Sequence, residues 1–165
     1  VRVGVGINTG EVMLGTIGGA TSIKCSVIGD SVNLASRIEN LTKHFDVPLL
    51  IGESTYAALK DPARYRTRHV GRVRVKGRSR PVTIYEVFDA DREEIREAKL
   101  ASAEEFNRAC EQYYRRAFAD AAAGFERCLS ACPRDRTAAL FFERSRANLR
   151  GVPEDWDGTE SILPY

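Results

Sequence analysis

Long apolar runs are missing from this chain of 165 residues. No segment approaches the roughly 18 consecutive apolar residues of a membrane span. No segment combines the charged and apolar regions of a signal peptide. The sequence therefore predicts a soluble, cytoplasmic chain with no membrane span of its own.

Disulfide and metal-binding patterns are missing as well. The chain has four cysteines and two histidines, and the histidines lie far from the cysteines in sequence. Cys128 and Cys132 would share a helix face, but two thiols without two further ligands hold zinc poorly. We expect a reducing compartment and buried thiols, and we assign no metal ligand.

A strong charge of one sign is also absent. Lys and Arg number 25 against 23 Asp and Glu, so the net charge of +2 gives no reason to expect a nucleic-acid partner. Basic residues nevertheless exceed acidic ones before residue 90, and the balance reverses after it. From residue 91 the chain also becomes rich in Ala, Glu and Arg. These changes predict two units, residues 1–90 and residues 91–165.

Residues 1–17 predict a hairpin of two strands. Apolar side chains recur at every second position over residues 1–7, which is the period of a half-buried strand. A second apolar stretch follows at residues 12–17, and residues 8–10 supply turn chemistry between the two.

The rest of the first unit predicts short strands and helices, so that the unit is mixed α and β. A helix is expected from Asp30, its candidate N-cap, to about Leu41. The other expected elements are strands at 22–28 and 48–51, a short helix at 54–59, and two or three strands between 65 and 88, broken near Gly71 and Gly77.

The second unit predicts helices. Ala121, Phe125, Cys128 and Pro133 stand at the offsets that a tetratricopeptide repeat uses for its small, aromatic, small and terminating residues. Only about one repeat is visible, whereas an array needs about three, so we expect this segment to pack against the first unit or a partner. Trp156, in an acidic and turn-rich tail, is either a docking anchor or part of a loosely held terminus.

Asn33 and Arg37 stand four residues apart on the first long helix and project from a face separate from its apolar line. An amide and a guanidinium near a helix N-terminus form a candidate anion site. Alternatively, Asn33 helps to cap the helix and Arg37 pairs with a surface carboxylate such as Glu39 or Asp46. The apolar line, expected to face a core, consists of Leu34, Ile38 and Leu41.

A basic stripe occupies alternate positions between residues 64 and 80, with no acid among them. For most of these side chains we expect a solvated strand face, with a change of register near Gly71. The stripe lacks the interleaved aromatics that stack bases. Lys76 differs because a turn at Gly77 would direct a single ammonium into a cleft. The stripe consists of Arg64, Arg66, Arg68, Arg72, Arg74, Lys76, Arg78 and Arg80.

Two segments, VGINTGEV at residues 5–12 and VIGDSVNLASRIE at residues 27–39, resemble the C-terminal half of a class III nucleotide cyclase catalytic domain. The resemblance continues through VKGR at 75–78 and TIY at 83–85. It implies an α+β fold, a ferredoxin-like half-domain with a mixed, hairpin-rich sheet, followed here by an α-helical extension. Extensions of some bacterial cyclases are similar to the helical segment and its Trp-Asp-Gly tail.

By this resemblance, the chain takes part in converting ATP to 3′,5′-cyclic AMP and pyrophosphate. Asn33 would orient the ribose, Arg37 would stabilise charge on the phosphates, and Lys76 would hold the terminal phosphates. Ser26 occupies the base-reading position, where its hydroxyl can accept from adenine or donate to guanine. This position favours an adenylate cyclase and leaves a guanylate cyclase as the alternative.

The resemblance also implies what comes from elsewhere. Two divalent ions, magnesium or manganese, would be bound by aspartates upstream of Val1, in a site shared across a homodimer interface. We therefore expect a piece of a longer protein that has no cyclase activity alone, and a membrane anchor upstream is compatible with this expectation. A catalytically silent regulatory homologue, or an interaction module acting through the helical extension on a protein partner, remains the alternative.

Overall fold

A computed structural model of the chain describes residues 3–19, 22–74 and 80–159, with the backbone alone for residues 17–19 and 22–25. The strands of the described residues all lie before residue 88, together with two helices, and the other helices follow. The strands are β1 Val5–Ile7, β2 Met13–Gly19, β3 Ser22–Ile28, β4 Leu49–Gly52, β5 Thr67–Val73 and β6 Val82–Val87. The helices are α1 Asp30–Phe45, α2 Glu53–Ala57, α3 Glu93–Ala101, α4 Ala103–Tyr114, α5 Phe118–Ala131 and α6 Arg136–Asn148, with a 3₁₀ turn at Pro62–Arg64.

The strands form two separate sheets, so the fold is mixed α and β. The larger sheet has the order β1-β4-β6-β5, in which β1 and β4 are parallel and the other pairs antiparallel. The predicted hairpin of β1 with the following strand is wrong. β1 pairs with β4, placing Gly6 beside Leu50, whereas β2 pairs with β3 in an antiparallel hairpin that places Leu14 beside Val27. A period-two pattern identifies a strand but not its partner.

The glycines of β1 explain why α1 covers this strand. A Cβ at Gly6 would lie 2.2 Å from the backbone nitrogen of Glu39, so only glycine permits this close approach. The apolar positions Val3, Val5 and Ile7 therefore face away from α1, and they are exposed by 69%, 44% and 43%. The packed side of β1 is its glycine side, which the apolar alternation did not predict.

Helix α1 starts one residue earlier and ends four residues later than predicted. Gly29 is the N-cap, so Asp30 is the first helical residue. At this position the positive end of the helix dipole stabilises the carboxylate of Asp30. Thr42 and Phe45 are buried and continue the apolar line past Leu41. The helix ends where Asp46 adopts a left-handed conformation, with φ of 53°.

One buried cluster joins the sheet, α1 and the later helices. Phe45 of α1 contacts Phe141 of α6, with ring centroids 6.4 Å apart. Cys110, Cys128 and Cys132 are buried free thiols, as predicted. Burial raises the pKa of Cys128 to about 11, which keeps its thiol protonated at neutral pH.

The helical segment packs against the strands and against its own tail. Ala121, Phe125 and Cys128 are fully buried. The ring of Trp156 lies 5.3 Å from that of Tyr113 and 5.2 Å from that of Phe118, so Trp156 anchors the tail within the chain. Among the residues described, no helix is both long enough and apolar enough to cross a bilayer.

Candidate functional site

Asn33 and Arg37 lie one turn apart on α1, away from its buried line. Asn33 is exposed and Arg37 is half-buried. Within the described part of the chain, neither side chain makes a hydrogen bond or an ion pair. Both polar groups are therefore available to a ligand or to a second chain.

The alternative roles proposed for these two residues are not seen. The N-cap of α1 makes no side-chain hydrogen bond, so Asn33 does not cap the helix. The two carboxylates considered as partners of Arg37 pair elsewhere: Glu39 lies 3.7 Å from Lys43, and Asp46 lies 3.4 Å from Arg136.

Ser26 lies on β3, the strand that leads through Gly29 into α1. It pairs with Gly15 across the hairpin and is half-buried. No hydrogen bond within the described residues joins its side chain to Asn33 or Arg37. The fold thus places Ser26 on the element preceding the Asn33–Arg37 helix, without direct contact between the side chains.

Lys76 lies outside the described residues. Its segment, residues 75–79, follows β5 and precedes β6. Its role in holding phosphates therefore stays a prediction from the sequence.

The basic stripe is not uniformly solvated, because Arg68 is buried and only 5% exposed. Its Nε donates to Glu86 at 2.6 Å, and its two terminal nitrogens donate to the carboxylate of Asp135, each at 2.6 Å. Lys99 donates to the other oxygen of Glu86 at 2.7 Å and to Asp91 at 2.6 Å. We call these five residues the junction cluster, because they connect β5 and β6 to the helices.

The charges of the junction cluster are matched. Burial alone would lower the pKa of Arg68, but the charges of Glu86 and Asp135 raise it overall. Burial alone would raise the pKa of Asp135, but its hydrogen bonds and charge interaction with Arg68 lower it. Arg68 and Asp135 therefore stay ionised at neutral pH. A buried charge without such partners would cost several kcal/mol.

The junction cluster was not predicted from the sequence, although the sequence contains two signals of it. Glu86 is an acid on the inward side of the apolar strand β6. Asp135 precedes a helix and caps it by accepting from the backbone of Ala138. A single acid within an apolar strand requires a buried cation, and the facing strand offers Arg68.

The other members of the stripe that the structure describes are exposed, as expected. Arg66 lies 3.6 Å from Asp89, and Arg74 pairs with Asp157 of the tail. The strand register shifts between His69 and Gly71, near the predicted position.

The described residues do not fit a divalent metal site. Among them, no group of three or more His, Cys, Asp or Glu side chains is arranged to hold an ion. Asp30 and Glu11 are both exposed. Ions used with this site would need ligands from outside the described residues.

The mixed sheet and the amide and guanidinium on α1 agree with the nucleotide cyclase type of domain that the sequence pattern around them indicates. Residues 1–88 match the family of the adenylate and guanylate cyclase catalytic domain. The match covers more than half of the chain, and the chain belongs to this family.

Several relatives are adenylate cyclases. The terminal-differentiation specific adenylate cyclase of Dictyostelium discoideum is 34% identical over 151 residues, covering 91% of this chain and 7% of that protein. The adenylate cyclase of Anabaena cylindrica is 44% identical over 88 residues, covering 53% of this chain and 18% of that protein. This chain thus spans a small part of both relatives. Among solved structures, the adenylyl cyclase CyaB from P. aeruginosa is 39% identical with a TM-score of 0.42, covering 53% of this chain and 43% of that one.

Proposed function

We propose that this chain contains the C-terminal half of the ferredoxin-like catalytic domain of an adenylate cyclase, residues 1–90, followed by a tetratricopeptide-like extension, residues 91–165. The reaction is conversion of ATP to 3′,5′-cyclic AMP and pyrophosphate in the cytoplasm. The observation that carries the proposal is the Asn33–Arg37 pair, which makes no hydrogen bond or ion pair within the described chain and lies in the segment matched to the family. The names of the relatives support ATP as the substrate.

Arg37 and Asn33 perform different tasks in this proposal. Arg37 presents a planar guanidinium to phosphate oxygens and stabilises negative charge as the ribose 3′ oxygen attacks the α-phosphorus and pyrophosphate leaves. Asn33 hydrogen-bonds to the ribose and orients that oxygen. Phosphoryl transfer depends mainly on such positioning and on positive charge where negative charge develops.

Ser26 and Lys76 bind the two ends of the nucleotide. The Ser26 hydroxyl accepts from the adenine amino group, and the Lys76 ammonium holds the terminal phosphates. Because a hydroxyl can also donate to the guanine carbonyl, the base preference is tested with both nucleotides below.

The remaining parts of the site come from outside the described residues. We propose that two divalent ions, magnesium or manganese, are held by residues upstream of Val1 and that the site lies between two copies of the domain in a homodimer. The apolar side chains left in solvent support this. They are Val3, Val5 and Ile7 on β1 and Met13, Leu14, Val27 and Ile28 on the hairpin.

The test is turnover of the full-length protein with ATP and with GTP. We expect cyclic AMP from ATP, and Arg37→Ala to lower kcat by about 10²–10³-fold, the usual cost of one preorganised donor. Lys43→Ala is the matched control, because Lys43 is an exposed cation on the same helix. It should leave turnover unchanged.

Other outcomes have defined meanings. Preferential turnover of GTP would contradict the adenylate assignment and support a guanylate cyclase. An Arg37→Ala variant as active as the parent would exclude the proposed role of the Asn33–Arg37 pair. The 165-residue chain alone should form no cyclic nucleotide.

A further inference from the structure

A cavity of about 670 Å³ lies between the β5–β6 edge of the sheet and helix α4. Thr67, Tyr85 and Arg72 line it from the sheet, and Asn107 and Tyr114 line it from α4. This volume is within the range of small-molecule sites. None of the proposed catalytic residues that the structure describes lines this cavity, so it is separate from the site proposed above.

The cavity carries one uncompensated cation. Glu86 and Asp135 compensate Arg68, which lies at its inner wall, and Glu111 lies 3.9 Å from Arg115 at its rim. The Arg72 guanidinium lies 4.6 Å from the centre of the Tyr114 ring. No carboxylate among the described residues pairs with Arg72. The lining therefore favours a ligand with a single negative charge.

The rest of the lining is aromatic. The rings of Tyr56 and Tyr85 stack with centroids 4.2 Å apart, and His69 lies 5.5 Å from Tyr114. Burial and, to a smaller extent, the charge of Arg72 lower the pKa of His69 to about 4. At neutral pH its imidazole is therefore an uncharged part of the cavity lining. Flat uncharged rings beside a guanidinium accommodate a planar ring that carries an anion.

We propose that this cavity binds a planar aromatic molecule with one negative charge, its ring against the tyrosines and its anionic group on Arg72. Two sources share this chemistry: a 3′,5′-cyclic nucleotide, which rests on the proposed function because it would be the product, and an aryl carboxylate, which does not. Since the sheet and α4 both line the cavity, the ligand would stabilise their contact and act on the helical extension.

The experiment measures binding by calorimetry to the full-length protein carrying Arg37→Ala, which weakens nucleotide binding at the proposed catalytic site. The probes are cyclic AMP and indole-3-acetate, with adenosine as the ring without charge and inorganic phosphate as the charge without ring. We expect one of the two aromatic anions to bind at least about tenfold more tightly than either control. Hydrogen exchange should show new protection in β5 and α4.

Arg72→Ala should weaken this binding by roughly tenfold or more, because it removes the charged partner. Arg66→Ala is the matched control: Arg66 lies just before the other end of β5 and pairs with Asp89. It should leave binding unchanged. Circular dichroism confirms that both variants remain folded.

Three results would overturn the proposal: no binding of either aromatic anion up to about 1 mM, adenosine binding as tightly as the anions, or unchanged affinity in a folded Arg72→Ala variant. Turnover does not enter these measurements. Indole-3-acetate binding in a protein that fails the turnover test would therefore refute the proposed function alone.

Discussion

The two edges of the main sheet have opposite chemistry. At the β5–β6 edge the chain buries charges, and each is matched: Arg68 is only 5% exposed and has two carboxylate partners. At the β1 edge and on the hairpin it leaves apolar side chains in water, with Met13 exposed by 76%. Burying a charge is costly unless it is paired, and contiguous exposed apolar surface marks an interface. We call the first edge complete because its buried charges are compensated within this chain, and the second edge incomplete because we expect another segment or subunit to cover it.

The largest effect should come from removing one charge at the complete edge. Asp135→Asn keeps an oxygen to cap α6 but leaves Arg68 with one carboxylate less. We expect a loss of about 3–5 kcal/mol in the free energy of unfolding, because the guanidinium stays buried with half of its compensation. Urea denaturation of the protein measures it.

Asp89→Asn is the control for this prediction. Asp89 pairs with Arg66 at the same strand, but both side chains are partly exposed. Such pairs contribute about 0–1 kcal/mol. Equal losses in the two variants would show that burial does not distinguish the junction cluster from surface pairs.

A second effect at this edge depends on pH. An unfolded His69 gains a proton near pH 6.5, whereas the folded His69, with its pKa of about 4, stays neutral until the pH is much lower. The unfolded state therefore binds more protons between these values, and stability falls as the pH is lowered from 6.5 to 4, by at most about 3 kcal/mol. His69→Asn should flatten that slope in urea titrations above pH 5. An unchanged slope would show that groups other than His69 cause the pH dependence of stability.

The sequence predicted individual strands and helices better than it predicted which strands and side chains pair with each other. The 22–28 strand matches β3, and the apolar line of α1 faces the core. The pairing of β1 and the burial of Arg68 were not predicted, because both depend on segments distant in sequence: β4 in one case, and Glu86 and Asp135 in the other. Asn33 and Arg37 were identified from their four-residue spacing, because residues four apart are neighbours on the surface of a helix.

A third effect compares two glycines, one on β1 packed against α1 and one on the exposed hairpin. Gly6→Ala should cost about 1–3 kcal/mol of stability, since its Cβ would overlap the backbone of α1. Gly15→Ala, on the hairpin, is the matched control because a Cβ there meets nothing within 4 Å. It should change stability by less than about 1 kcal/mol. A tolerated Gly6→Ala would contradict the close packing of α1 on β1.

The smallest effect on stability should come from the exposed apolar surface itself. Leu14 is 74% exposed, so Leu14→Ser removes almost no buried area and should change the free energy of unfolding by less than about 0.5 kcal/mol. If a second copy covers the hairpin, Leu14→Ser should also weaken self-association of the full-length protein by about 1–2 kcal/mol, as measured by analytical ultracentrifugation.

Leu149→Ser is the matched control. Leu149 directly follows α6 and is 56% exposed, so its substitution should change neither the free energy of unfolding nor the self-association. Both residues are leucines with most of the side chain exposed, so a difference in association alone would assign the interface to the hairpin. Equal behaviour of the two variants would mean that the exposed hairpin is ordinary surface.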